Sequence, residues 1–517
     1  MNTNSRLSNS IKNISFGLFA QLTQMILGFV SRTIFINYLA IEYLGVNGLF
    51  SNILTLLSLT ELGITSAVMY SLYKPLAEKD EKKLAGLVHF TAKIYRNIAL
   101  IIAALGLLLV PFLHQIVENP PQQLKEDLII IYLLFLFNTV SSYFLQYKAG
   151  LLHADQKSYV VSKNNILIFM VQNGLQILVL VLFQNFIFYL IIQSVMQLTG
   201  NLLISQKVNK LYPFLQKYKS ETIDAEIKDK IYSNVKSTGI VKISGLLVNS
   251  TDNIILNYFS GLAMVGLLSN YILLIGLASG LIMQVFANIK GSIANINAIE
   301  SHEKKIETFT TVNFANFWIY GWVAVSIIFL LNDFIQIWIG SRFVLSLPAV
   351  IALALNFYMY GMQNAVWTFK STFGIFKQGR FVVLCTAALN LVLSFWFGSY
   401  YGLEGILFAT ATARLLTNCW FDPYLVYTLA LKINPVLYLK KYLFYIVVLT
   451  VVLALLFGIN YYIGTVTLWV FAFKIGLCLV VPNVVIYIFC KHTPEFKSVS
   501  GLIRAVFSKL KGSISRS

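Results

Sequence analysis

The sequence predicts an all-α polytopic membrane protein, and three observations predict it. The 517-residue chain is 57% hydrophobic and only 12% charged, with a mean hydropathy of +0.73; a soluble domain carries about twice that share of charge. Apolar runs long enough to cross a bilayer recur along the chain, whereas the ~10-residue alternating strands of a membrane barrel are absent. Lysine and arginine, finally, gather between every second pair of runs.

Fourteen spans can be marked, at about 13–37, 44–72, 87–117, 127–148, 160–184, 187–206, 233–258, 262–289, 311–338, 346–369, 381–400, 403–430, 442–463 and 466–490. The first follows a short polar segment and shows no small-residue cleavage site. It is expected to be a retained helix rather than a signal peptide. The expected organisation is a six-helix lobe over 1–210, a cytoplasmic linker over 211–232 and a second six-helix lobe over 233–432. Two additional helices over 433–490 and a basic cytoplasmic tail over 491–517 complete it.

The formal net charge is +18, which by itself would suit a nucleic-acid partner. The placement of the charge argues otherwise. With both termini in the cytoplasm, 31 of the 39 Lys and Arg fall on the inner side. Arg32, Lys93, Arg96, Lys242, Arg414 and Lys474 fall within spans, and Lys125 and Arg342 on the outer side. This asymmetry orients a multi-pass protein of the cytoplasmic membrane and removes the need for nucleic acid. The outer turns Gln184-Asn185, Ser260-Gly261 and 460–463 are short and uncharged. The inner loop 207–236 is rich in lysine. It reads either as a surface helix on anionic membrane lipids or as a solvated linker.

The chain also repeats itself. Asn37-Tyr38 matches Asn257-Tyr258, and that register sets Arg32 on Asp252. After small drifts, Gly48 to Asn52 falls on Gly266 to Asn270, Glu81 to Leu84 on Glu303 to Ile306, Lys148 on Lys370 and Gln156 on Gln378. Six spans separate the copies, so they share one membrane orientation and form a parallel repeat. In transporters, such halves enclose the substrate path.

Polar residues inside the spans are the candidate site. Gly17, Gln21, Gln24, Gly28 and Arg32 follow helical spacing on the first span, as Thr238, Lys242, Gly245, Asn249 and Asp252 do on the seventh. Ser51, Ser58, Glu61 and Thr65 share a face of the second span. Gln193, Gln197 and Asn201 mark the sixth, Asn356, Tyr360, Gln363 and Asn364 the tenth, and Arg414 the twelfth. Any one amide can be interhelical glue. A charge in the bilayer costs about 2.5–3.5 kcal/mol even on the lenient insertion scale and normally faces a cavity or a partner. The expected cavity is therefore a water-filled central one lined by spans 1, 2, 7 and 8, polar and partly cationic. Arg32, Lys242, Arg414, Gln21, Gln24 and Asn249 face the cargo, and Glu61 and Asp252 serve gating or ion coupling. For Arg32 and Asp252, a structural salt bridge is the alternative.

The sequence contains no P-loop, HExxH or GxSxG motif and no metal-ligand cluster, so it calls for no cofactor and no catalysis. The cysteines Cys385, Cys419, Cys478 and Cys490 show no paired spacing and read as small core residues. Any driving force would come from an ion gradient, the membrane potential or consumption of the product.

The stretches SRTIFINYLAIEYLGVNGLFSNILTLLSLTELGI (31–64) and STDNIILNYFSGLAMVGLLSNY (250–271), with HADQKSY (153–159) and FKQGRF (376–381), resemble polysaccharide flippases of the Wzx type in the MOP exporter superfamily. The likeness implies two six-helix lobes around a central cavity that opens alternately to each side. It implies a cargo of lipid-linked oligosaccharide, generally on undecaprenyl pyrophosphate, for capsule, exopolysaccharide or O-antigen. Glycosyltransferases and a polysaccharide polymerase would then be partners. By position, Arg32 fits the cationic residue that holds the anionic head group. A lipid II flippase or a cation-coupled drug antiporter of the same superfamily are the alternatives within transport; Arg32 on the first span argues against the antiporter. A membrane polymerase or acyltransferase would need a catalytic cluster, and a scaffold would leave the buried charges unexplained. If Arg32 and Asp252 form a bridge, the exchange Arg32→Asp with Asp252→Arg should restore the polysaccharide that each single change removes. Failure of the double variant, with both proteins present at normal levels, would refute the pairing.

Overall fold

The computed structural model describes residues 3–58, 64–117, 124–218, 251–375 and 378–502, with isolated positions between 221 and 231 and at 504. The first half supplies α1 (Thr3–Tyr38), α2 (Ile41–Leu57), α3 (Ile64–Glu78), α4 (Glu81–Leu109), α5 (Leu128–Ala154), α6 (Ser158–Phe183) and α7 (Phe186–Leu211). The second supplies α8 (Asp252–Ile299), α9 (His302–Ile339), α10 (Leu347–Thr372), α11 (Arg380–Leu416), α12 (Asn418–Leu425), α13 (Val436–Asn460) and α14 (Leu468–Cys490). Among the described residues, 10 helices are long and apolar enough to cross a membrane. The protein is thus an all-helical, multi-pass membrane protein.

The helices start and stop where local chemistry dictates. Asp127 caps α5 by accepting from the Ile129 amide at 2.7 Å, and Asn185 caps α7 through Phe188 at 3.0 Å. Such caps satisfy amides that have no partner inside the helix. Gln184 ends α6 in the left-handed region, so the turn is two residues long. Gly261 (φ 77°) breaks α8 and Gly402 (φ 55°) breaks α11. Both conformations suit a residue without a Cβ. The short outer turn expected at Ser260-Gly261 is the first of these breaks.

By internal contacts the chain separates into two compact units, 1–266 and 267–517. In the first, α1 packs on α6, α4 on α5, and α5 and α6 on α7; in the second, α9 packs on α10, α10 on α11, and α13 and α9 on α14. The boundary falls inside α8 because glycines bring the start of that helix onto α2. A Cβ at Gly45 would meet the Leu262 carbonyl, and one at Gly266 would meet the Ile41 carbonyl. Asn257 adds a hydrogen bond to the Ile116 carbonyl at 2.6 Å. Residues 252–266, which the repeat assigns to the second half, therefore complete the first unit.

Equivalent lysines tie each unit internally. Lys148 on α5 donates to Ser205 Oγ (2.6 Å) and Asn209 Oδ1 (3.0 Å) on α7. Lys370 on α10 reaches Asp422 Oδ1 on α12 at 2.5 Å, and Trp367 donates to the other oxygen of that carboxylate at 3.1 Å. The loop after α5 is pinned as well. Asp155 accepts from the Tyr212 hydroxyl at 2.6 Å and pairs with Lys157 at 2.7 Å. Burial, reinforced by that hydrogen bond, pushes the Tyr212 hydroxyl well above its ordinary pKa.

The last helix, α14, is fastened to α9 by polar bonds. Lys474 on α14 meets Asp333 on α9 at 2.6 Å, with the two side chains 6% and 16% exposed. Trp318 and Trp322 on α9 donate to Asn483 Oδ1 and the Cys478 carbonyl on α14, both at 2.7 Å. Lys474 is thus a structural charge. Of the four cysteines, all free, three are buried and Cys385 is exposed. Tyr400, Tyr401, Tyr461, Tyr462 and Trp469 stand exposed near helix ends or breaks. These are the positions where amphipathic rings settle at a membrane interface.

Removing one member of a buried ion pair costs about 3–5 kcal/mol, and replacing both by apolar groups is close to neutral. Lys474→Met should therefore lower the melting temperature in detergent markedly, and Lys474→Met with Asp333→Leu should recover most of the loss. Equal melting of the single and double variants would rule out the pair as a fastening.

Candidate functional site

The site residues assigned from sequence separate into three groups. Lys242, Asn249 and Glu61 lie outside the described residues. Arg32, Gln21, Gln24 and Asp252 fall in the first unit, and Arg414 in the second.

Arg32 sits on α1 where that helix packs on α6 and α7. Its neighbour Ser31 is buried and hydrogen-bonds the Tyr189 side chain, whose hydroxyl also lies within electrostatic reach of the Arg32 guanidinium. Aromatic rings close this end of the unit. Phe35 meets Phe186 and Tyr189 edge-on at 5.9 and 5.4 Å, and Tyr43 meets Phe186 at 5.0 Å. Glu126 binds them together. It accepts from the Tyr43 hydroxyl and from the Phe186 amide, the latter at 3.2 Å. Arg32 is therefore held beside a rigid, apolar cap.

Further along the same bundle, α1, α5, α6 and α7 enclose an open cavity of about 340 Å³. Its polar lining consists of the amides Gln24, Gln146, Asn165, Gln172, Gln197 and Asn201, together with His153. No lysine, arginine or carboxylate lines it among the described residues. A smaller cavity of about 120 Å³ adjoins it and shares Gln146 and His153. Other amides in these helices bond backbone carbonyls. Asn164 donates to the Gly200 carbonyl at 3.1 Å, Asn173 to Phe169 at 2.8 Å and Gln176 to Tyr189 at 3.1 Å. The bundle thus sorts its amides into those that bond the backbone and those that face the cavity.

The second unit treats its polar residues differently. Arg414 donates to the Asn356 carbonyl at 3.2 Å and lies over the Tyr360 ring at 5.6 Å. Asn356 donates to the Leu407 carbonyl at 2.8 Å, and Gln363 to the Asn418 carbonyl at 3.0 Å. These residues join α10 to α11 and α12. Asp252 opens the described part of α8 and is half-buried.

Gln24, Gln197 and Asn201, expected on polar stripes, meet at one cavity, but it is enclosed by α1, α5, α6 and α7 rather than by spans 1, 2, 7 and 8, and among the described residues it carries none of the expected cations; Gln21 is half-buried on α1 and does not line it. Sequence reading passed over Gln146, Asn165 and Gln172. The last two are seven residues apart on α6, one face of a helix, and that spacing was the available signal.

No family model matches the chain, and no curated protein matches it by sequence. Solved structures do match by fold. The structure described as "Lipid II flippase MurJ, inward closed conformation" aligns with a TM-score of 0.64 at 16% identity, over 92% of this chain and 99% of that one. An inward-facing multidrug resistance MATE family transporter of the MOP superfamily aligns with a TM-score of 0.59 at 12% identity, over 78% of this chain and 94% of that one. A point mutant of the Vibrio cholerae MATE transporter VcmN aligns with a TM-score of 0.51 at 15% identity, over 83% of this chain and 98% of that one. At these identities the likeness is one of fold: the chain is a multi-pass membrane protein built on the architecture that MATE transporters share with MurJ.

Proposed function

We propose that the protein is a transporter that flips a lipid-linked oligosaccharide, carried on undecaprenyl pyrophosphate, across the cytoplasmic membrane by alternating access. Its product would feed the assembly of a surface polysaccharide. The observation that carries this reading is the near end-to-end fold match to a lipid II flippase, with Arg32 rooted in α1 beside Tyr189. A guanidinium makes paired, charge-assisted hydrogen bonds to phosphate oxygens, and these are stronger than bonds between neutral groups. Such a group suits an anionic head group whose lipid tail stays in the bilayer. The amide-lined cavity suits the sugar side of the same cargo. Glycosyltransferases that build the unit, and a polymerase that consumes it, are the partners this chemistry requires.

Two other cargoes fit the fold. Lipid II is supported by the same MurJ likeness and differs only in the carried sugar-peptide. A cationic drug is favoured by the MATE likeness but finds no carboxylate among the described residues around the 340 Å³ cavity.

Deletion of the gene should cause a lipid-linked repeat unit other than lipid II to accumulate, read by mass spectrometry of extracted lipids. Accumulation of lipid II instead would assign the second cargo, and loss of drug resistance alone would assign the third. In the complemented strain, Arg32→Ala should remove surface polysaccharide at normal protein level. Arg414→Ala should act through the fold and lower the melting temperature, since it breaks the bond to Asn356; a stable Arg414→Ala protein with no transport would place that guanidinium on the cargo instead.

A further inference from the structure

We infer that the cavity enclosed by α1, α5, α6 and α7 is a binding site for an uncharged sugar ring, held by side-chain amides and separate from the group that holds the anion. Three observations carry this.

The first is chemical selection. Six amides line the cavity, and among the described residues no charged side chain other than the titratable His153 does. An amide offers two donors and a carbonyl acceptor, and a sugar hydroxyl is likewise both donor and acceptor. A carboxylate or ammonium brought into the same cavity would lose hydration without gaining a counter-charge, at a cost of several kcal/mol. The lining therefore favours a neutral, hydroxyl-rich ligand over a charged one.

The second is the state of those amides. The side chains of Gln24, Gln146, Asn165, Gln197 and Asn201 make no hydrogen bond to protein among the described residues. The Nδ2 group of Asn201 is fully buried and lacks a partner. Neighbouring amides on the same helices, Asn164, Asn173 and Gln176, are bonded to backbone carbonyls. Amides needed only for helix packing would resemble the second set. Leaving a buried donor unmade costs about 1–3 kcal/mol, which falls on Asn201 Nδ2; Gln24, Gln146 and Asn165 are exposed to the open cavity, where a ligand can replace water on them.

The third is size and shape. The cavity holds about 340 Å³, at the small end of the roughly 300–1,000 Å³ usual for small-molecule sites. Phe169 and Ile168 add an apolar wall to the polar one, matching the two-sided character of a pyranose, with C–H groups on a face and hydroxyls on the rim. Gln24 precedes Arg32 by eight residues on α1, about 12 Å of helix rise. A sugar in the cavity and a phosphate at Arg32 are therefore at a spacing that one head group can span.

The inference rests on the oligosaccharide reading for the natural source of the ligand, but binding is measurable without transport. The full chain is purified into nanodiscs and irradiated with neutral disaccharides that carry a diazirine, and with a digalacturonate probe of the same size. Peptide mapping should place the neutral adducts on 145–153, 161–172 and 197–204. Unlabelled neutral sugar should compete them away, and the uronate should label at least tenfold less. Gln172→Leu with Asn201→Leu should cut labelling at least tenfold at an unchanged melting temperature; Gln197→Leu, tested alone, provides a second variant should the first not fold. Adducts elsewhere, labelling indifferent to these changes, equal labelling by the uronate, or no labelling would each overturn the site and leave the cavity a solvent-filled vestibule. The deletion strain judges the flippase reading independently. Accumulated oligosaccharide lipid without cavity labelling would retain the function and discard the site, and labelling without accumulation would do the reverse.

Discussion

Hydrocarbon solvates no polar group, so each charge or amide inside a span must find its partner within the protein. Most of the polar residues in the two bundles follow from this requirement. Lys474 is met by Asp333, Lys370 by Asp422, and Arg414 by the Asn356 carbonyl and the face of Tyr360. Lys474 and Lys370 thereby hold helices together. Gln24, Gln146, Asn165, Gln197 and Asn201 of the first unit make no such bond among the described residues and line one cavity, which makes that cavity a place to look for a ligand.

The two halves solve the same packing problem with different chemistry. Lys148 and Lys370 occupy equivalent places in the repeat. The first bonds a hydroxyl and an amide, and the second a carboxylate held by a tryptophan. The second unit carries α13 and α14 on its flank, the latter through Trp318, Trp322 and Lys474. The first unit turns six amides toward a cavity.

Much of the architecture was legible in the sequence. Helix breaks at Gly261 and Gly402 coincide with gaps between apolar runs, because a left-handed backbone next to uncharged residues leaves a plain trace. The Gln184-Asn185 turn was legible for a similar reason, since asparagine caps the helix that follows. The partner of Lys474 was not, because Asp333 lies far away in sequence and only the docking of α14 on α9 brings them together. The cavity was half legible. Gln24, Gln197 and Asn201 stood out as stripes, but whether a stripe meets a neighbour's backbone or a void depends on how α5, α6 and α7 are rotated about their axes. That rotation is fixed by apolar packing along whole helices.

The glycine contact between α2 and the start of α8 also bears on biosynthesis. Gly45 can sit against Leu262, and Ile41 against Gly266, only after the chain has been made through residue 266. Domains emerging from the ribosome generally fold in order, N-terminal first. Here the first six apolar segments enter the bilayer without the piece that seals them. The nascent bundle must wait, with the backbone-close surface of α2 uncovered, while the lysine-rich loop is synthesised. A protein truncated just before residue 252 would therefore carry every helix of its first repeat and still be unfinished, an open client for the membrane insertion and quality-control machinery.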